Sequence, residues 1–205
     1  MEKIKIPAKK HTIEYEMKKS RFIATVEPLT GQEEVKKRIR EIRDSYPGCR
    51  HVVYAFFTGD DRAMSGLSDD GEPHGTAGRP VYEVLKGSGL TDVLLTVTRY
   101  FGGTKLGTGG LVSAYGQSAK NVLEALPVKE KIYTIKTVFT LDYSLFDGVK
   151  KILADVGALN VEEEFSTGIT IRTQIPMDEK DLFAEKIRDI SRGEISPGFF
   201  EEGSC

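Results

Sequence analysis

Apolar and polar positions repeat with two different periods along this chain, and each change of period marks a new element. Residues 12–17 and 21–27 alternate with period two around Lys18-Lys19-Ser20, which predicts a β-hairpin that Pro28 ends. Val35, Ile39, Ile42 and Tyr46 then recur at helical spacing among charged residues. That predicts a helix over 33–46, capped by Thr30 with Glu33 completing a capping box, and stopped by Pro47-Gly48. RHVVYAFFT at 50–58 reads as a strand. The polar run 59–78, rich in Gly and Asp, is too long for a simple turn and is a candidate functional loop. A short helix is expected over 79–86 with Pro80 in its first turn. A buried strand over 91–101 follows, then a glycine-rich stretch and a helix from near Thr108 to about Leu126, with Pro127 closing the domain.

Beyond Pro127 the rhythm changes. Strands are expected at 132–141, 159–165, 168–175 and 194–201, and helices at 145–156 and 178–190. Ser166-Thr167-Gly168 forms the turn between the middle strands. This βαββαβ order is the ferredoxin-like pattern. The expected class is α+β, with one domain at 1–127 and a second, ferredoxin-like, at 128–205.

Composition narrows the classes. With 205 residues, 39% hydrophobic and 29% charged, the chain reads as soluble and globular, not disordered. No apolar run approaches the roughly 18 residues of a membrane span, and MEKIKIPAKKH at the start lacks a signal-peptide core. A cytoplasmic protein with no membrane partner is the expectation. Cys49 and Cys205 make neither a disulfide framework nor a zinc ligand set, and Cys49 reads as a small residue near a strand start. A net charge of −2 argues against a generally basic nucleic-acid binder. The charge is uneven, however. Residues 1–127 carry 19 Lys and Arg against 16 Asp and Glu, and the remainder 10 against 15. The surplus is local, because Lys3, Lys5, Lys9, Lys10, Lys18, Lys19 and Arg21 face only Glu2, Glu14 and Glu16.

Three stretches carry candidate chemistry. RYFGGTKLGTGGLVSAYG at 99–116 fails the P-loop pattern because Leu106 follows Lys105, and fails the dinucleotide fingerprint because Val112 stands where glycine is needed. Its context still suits an anion. A strand delivers Arg99, the loop supplies unshielded N–H groups at Gly102, Gly103, Gly107, Gly109 and Gly110 together with Thr104 and Lys105, and a helix begins just after. The same glycines also suit positive φ and close helix packing. SGLSDDGEPHGTAGRP at 65–80 holds Asp69, Asp70, Glu72, His74 and Thr76, to which His51 could add a metal ligand. Ser65 or Ser68 with His74 and an aspartate is a hydrolytic set on paper, without a nucleophile elbow around either serine. Asp-Asp-Gly is equally an ordinary turn. KKSRF at 18–22 offers cations for a phosphate backbone and Phe22 for stacking, as do Tyr100 and Phe101, although core packing is the commoner use of such rings. His11 reads as part of a solvated tail.

Taken together, KKSRFIA (18–24), SDDGEPHGTAGRP (68–80) and RYFGGTKLGTGGLVSAYG (99–116) resemble the signature of the IMPACT/YigZ family, in the right order across the N-terminal half. The tail resembles the small C-terminal domain of bacterial members. His74 departs from the pattern, which has a small residue there, usually serine. The resemblance implies an N-terminal domain like the second domain of a small-subunit ribosomal protein and the fourth domain of elongation factor G, and a C-terminal domain like that factor's fifth. Eukaryotic relatives act through protein contacts in the starvation response, restraining activation of a kinase of a translation initiation factor. The family brings no accepted catalytic residue, and no cofactor or metal is assigned.

Two functions are expected from these readings. The first is a non-enzymatic, translation-linked binding protein whose partner is RNA, the ribosome or a translation-related protein. It would use Arg99, Lys105, the glycines of 102–110, Lys18, Lys19 and Arg21. The second is an enzyme or small-anion or metal binder in a cleft between the 68–80 and 99–110 loops, with Asp69, Asp70 or Glu72 as base or ligand.

Overall fold

A computed structural model describes residues 4–200. Glu2, Lys3, Glu201 and Cys205, named above, lie outside the described residues. The chain is α+β and divides into two compact units after Lys131, a little beyond Pro127.

In the first unit, β1 (Lys5–Pro7) precedes the expected hairpin, β2 (His11–Met17) and β3 (Ser20–Pro28). Then come α1 (Val35–Ser45), β4 (His51–Thr58), β5 (Met64–Ser68), α2 (Gly78–Gly87), β6 (Val93–Tyr100), α3 (Gly107–Glu124) and β7 (Val128–Glu130). Five strands form an antiparallel sheet in the order β2-β3-β6-β4-β5, and β1 pairs with β7 in a small ribbon. That ribbon is why the first unit runs on past Pro127.

Alternation along the strands sorts side chains to two faces. Phe22, Ala24 and Val26 of β3, with Val93, Leu95 and Val97 of β6, pack with Val81 and Leu85 of α2 and Leu111, Ala114 and Tyr115 of α3. On the opposite face Phe56 and Leu94 pack with Leu29, Val35 and Ile39 beside α1. Covered on both faces, β6 is buried at seven of its eight positions, which explains why it opens on consecutive apolar residues, Val93-Leu94-Leu95, and not on a strict apolar–polar alternation.

Three local expectations are corrected. Thr30 does not cap α1: a 3-10 turn at Gln32–Glu34 leads in, Glu34 N–H donates to the Gly31 carbonyl, and no side chain caps either segment. The tight turn itself takes up a donor that a cap would otherwise satisfy. The 59–78 run is not all loop, since β5 lies inside it and pairs with β4. MSGLS is a poor strand former by composition, but Gly66 lets the Phe56 ring lie where a Cβ would come within 2.5 Å of it. Phe22 is fully buried in the core and offers no ring to a base.

The hairpin turn is strained. Met17 pairs with Ser20, leaving Lys18 and Lys19 alone in the turn at φ 47° and 65°. Such turns favour Asn-Gly, and a non-glycine residue held at positive φ costs about 1–3 kcal/mol. The turn abuts the glycine loop. A Cβ on Gly102 would meet the Lys19 backbone at 2.0 Å, and Gly102 N–H donates to the Ser20 hydroxyl at 3.2 Å.

The second unit comprises β8 (Thr134–Leu141), α4 (Phe146–Asp155), β9 (Leu159–Phe165), β10 (Ile169–Pro176), α5 (Lys180–Ile190) and β11 (Gly198–Phe200). Its antiparallel sheet runs β11-β8-β10-β9. Ile135, Phe139, Ile169 and Ile171 share one core with Val149 and Leu153 of α4 and Phe183 and Ile187 of α5, so both helices cover the same face. The last strand is shorter than expected and starts after Pro197, which has no N–H for the ladder. Among the described residues, no helix is long and apolar enough to cross a membrane.

Gly102→Ala is expected to lower stability by about 1–3 kcal/mol, because backbone must move to admit the methyl group. Gly109→Ala, in the first turn of α3 with nothing within 4 Å of the added carbon, should be neutral or gain up to about 1 kcal/mol. Urea unfolding of both variants checks the contrast.

Candidate functional site

The site grows from one row of the sheet. Register places Arg99 of β6 between Phe22 of β3 and His51 of β4. All three lie on the face that carries α2 and α3, but at the end of the sheet where the 68–78 loop folds over instead.

Each acidic residue of that loop has a structural partner. Asp69 accepts N–H bonds from Gly75 (2.8 Å), Ala77 (3.1 Å) and Gly78 (2.7 Å), and so caps α2 from outside, since Ala77 at the cap position has no side chain for the task. Burial pushes the Asp69 carboxyl up, but the three donors and nearby His74 outweigh it and hold it below the usual carboxylate range. Asp70 accepts from Val52 N–H at 2.6 Å and from Arg43 at 2.7 Å. Its carbonyl accepts from His51 Nδ1–H at 2.8 Å, which fixes the orientation of the ring. Thr76 does not face outward as a ligand; its hydroxyl donates to the Pro73 carbonyl at 2.7 Å.

Glu72 is the centre. One oxygen, Oε1, accepts from Arg99 Nη1 at 2.6 Å and from the Tyr115 hydroxyl of α3 at 2.8 Å, with His51 Nε2 at 3.9 Å. Burial above all, and then the Glu72 charge, push the Tyr115 phenol far above its ordinary range, so it remains a donor at any working pH. Arg99 is 7% exposed, lies over the Phe22 and Phe101 rings at 5.6 and 5.7 Å, and its buried Nε finds no acceptor among the described residues.

Above this floor lies a cleft of about 420 Å³. It is lined by Arg50, His51, Glu72, Pro73, Arg99 and Phe101, and by Lys105, Leu106, Gly107, Thr108 and Leu111 around the start of α3. Leu106 supplies no side-chain cap to α3, and Gly107, Thr108 and Gly109 are exposed, so the start of this 18-residue helix, whose first N–H groups lack helical partners, lies uncapped beside the cleft. Among the described residues, neither Arg50 nor Lys105 enters an ion pair.

The sequence candidates scatter around this geometry. Arg99, Lys105, Glu72 and Gly107 line the cleft, whereas Gly102, Gly103, Thr104, Gly109 and Gly110 shape the loop and helix start beside it. Lys18 and Lys19 stand exposed in the turn that abuts Gly102. Arg21 is turned elsewhere, paired with Glu14 at 2.9 Å and lying over the Tyr100 ring at 5.3 Å. Tyr100 itself donates to the Pro47 carbonyl at 3.2 Å. The paper hydrolytic set is not assembled: the Ser68 hydroxyl accepts from Asp70 N–H, and the Ser65 hydroxyl lies 3.3 Å from that of Tyr82. His74 is a fully exposed side chain 3.7 Å from Asp69. Among the described residues, no three of His, Cys, Asp and Glu gather as a metal would require. Sequence reasoning missed Arg50, Thr108, Leu111 and Tyr115 as site residues. The last three share one face of α3 at helical spacing, and that was the signal available.

Arg99→Ala would leave Glu72 as a buried carboxylate without its cation, and should cost about 3–5 kcal/mol. Replacing both, as Glu72→Gln with Arg99→Met, should cost clearly less than the sum of the single changes in urea unfolding. Asp69→Ala should cost about 0.5–2 kcal/mol at neutral pH. A folded carboxyl held below its unfolded value, about 3.9, stabilises above that value and loses its contribution as pH falls through the depressed one. The stability gap between wild type and Asp69→Ala should therefore narrow progressively below about pH 4.

The family model for the Impact N-terminal domain matches residues 18–123, which include the hairpin turn, both loops and Tyr115. A second family model, Domain of unknown function (DUF1949), matches residues 139–194. The IMPACT family member YigZ of Escherichia coli K12 is 35% identical over 204 residues, covering 98% of this chain and all of that protein. The IMPACT family member YvyE of Bacillus subtilis is 33% identical, covering 86% of this chain and 82% of the relative. A solved structure titled as that of a hypothetical protein superposes with a TM-score of 0.68 at 34% identity, over 98% of this chain and 99% of the other. With one family model spanning more than half its length and full-length relatives above 30% identity, this chain belongs to the IMPACT family.

Proposed function

We propose that this chain is a non-enzymatic, cytoplasmic binding protein linked to translation, and that its first unit engages RNA through phosphate contacts. The observation that carries the reading is the cleft beside the start of α3, where Arg50 and Lys105 have no ion-pair partner among the described residues and lie next to the first N–H groups of the helix. Two further cations, Lys18 and Lys19, are held in a strained turn against the same loop. Strain retained at a surface turn points to use of the residues displayed there. Phe101, 45% exposed at the side of the cleft, offers a stacking face. The likeness to ribosomal-protein and elongation-factor domains that the family resemblance implies, and the ferredoxin-like order of the second unit, agree with an RNA-bound setting by analogy of fold.

Against the enzymatic alternative stands the condition of the acids it would need. Asp69 and Asp70 spend their oxygens on backbone N–H groups and Arg43, and Glu72 is held by Arg99 and Tyr115.

Binding to structured RNA and to ribosomes should weaken steeply with salt. With four phosphate contacts, from Arg50, Lys105, Lys18 and Lys19, affinity should fall about 50- to 150-fold between 50 and 200 mM salt. Arg50→Ala and Lys105→Ala should each reduce the salt slope by about one contact. Fluorescence anisotropy titrations measure both. Absence of salt-sensitive binding to either target would sink the reading.

A further inference from the structure

The cleft differs from a surface that tracks a nucleic-acid backbone. Its volume of about 420 Å³ lies in the range of small-ligand sites, about 300–1,000 Å³. Proteins that follow a strand instead present long grooves that hold several nucleotides. The floor is closed by the Glu72–Arg99–Tyr115 hydrogen bonds. Part of the lining is apolar, from Pro73, Phe101, Leu106 and Leu111, while Arg50, Lys105 and the start of α3 supply positive charge. That combination suits a ligand with one flat, weakly polar part and one strongly charged part.

Charge balance indicates which anion. Glu72 faces the cleft, but Arg99 offsets its charge at 2.6 Å. What remains is two full positive charges, on Arg50 and Lys105, plus roughly half a charge from the N-terminus of α3. A phosphodiester brings a single negative charge, whereas a phosphomonoester brings about −1.5 to −2. Arg99, 7% exposed and paired with Glu72, also lines this cleft, so the anion meets Arg50 and Lys105 and not a free carboxylate. The Thr108 side chain, exposed in the first turn of α3, stands ready as a further hydroxyl donor.

We propose that the cleft seats the terminal phosphomonoester nucleotide of an RNA chain, with its phosphate at the start of α3 between Arg50 and Lys105 and its base against Phe101. The rest of the RNA then leaves past the Lys18–Lys19 turn. This inference rests on the RNA reading above and narrows it from a general backbone contact to recognition of an end.

The experiment compares RNA oligonucleotides of one sequence, labelled internally, that carry a 5′-phosphate, a 3′-phosphate or hydroxyls at both ends. The full chain is titrated with each at fixed salt, and free nucleoside monophosphate is used as a competitor. One phosphorylated end should bind at least about tenfold tighter than the hydroxyl form, as an added charge-assisted contact would give. Lys105→Ala and Arg50→Ala, both at exposed positions, should shrink that preference, and the monophosphate should compete. Equal, salt-sensitive binding of all three RNAs would overturn end recognition while leaving the RNA reading intact. Binding of the monophosphate without binding of any RNA would uphold the terminal-nucleotide pocket but overturn its RNA chain. No binding by any of the probes would overturn both.

Discussion

Everything in the first unit that resembles a site depends on one carboxylate being kept charged out of water. Glu72 comes from an irregular loop, yet it is nearly as buried as the core. It pulls three separate pieces of chain onto one oxygen: β6 through Arg99, α3 through Tyr115, and its own loop. A buried charge is tolerated only when it is paired and hydrogen-bonded. The three pieces are therefore bound to a fixed arrangement, because moving any one of them strands a charge. The cleft keeps its shape for this reason, with a floor that is polar but electrically settled and a rim whose cations are left over.

The loop itself shows how a polar segment becomes rigid without a core of its own. Asp69 is spent on the start of α2, Asp70 on the start of β4 and on Arg43, and the Thr76 hydroxyl on the Pro73 carbonyl. The Asp69 and Asp70 bonds join the loop to the start of α2, to β4 and to α1, while the Thr76 bond closes the loop on itself. A stretch that looks like a cluster of catalytic acids is thus a set of three joints. Only the face turned toward α3 remains for a ligand.

Much of the architecture was legible in the residues, for reasons that can be named. Period-two and helical spacing identified the hairpin, β6, α3 and the order of the second unit, because those elements bury one face or both. What escaped was decided by contacts distant in sequence. MSGLS forms β5 only because β4 offers it a ladder and Phe56 fits over Gly66. The β1–β7 ribbon joins the two extremes of the first unit, so no local pattern announces it. At the site, Arg99, Lys105 and Glu72 stood out by type. Their division of labour did not, since that Arg99 faces Glu72 while Lys105 has no ion pair among the described residues depends on register and on the loop fold. Tyr115 was read as part of a helix, and only the buried carboxylate gives its hydroxyl a purpose.

The hairpin turn has a further consequence for anyone who tries to improve this protein. A choice made for folding alone would put asparagine and glycine where Lys18 and Lys19 stand, since both positions require positive φ. The chain instead keeps two long cations there, with their backbone pressed against Gly102. Robustness and surface charge are therefore set against each other at this one point. A variant selected only for heat resistance would drift toward a relaxed, uncharged turn, and would lose the cations that flank the cleft while its core became firmer.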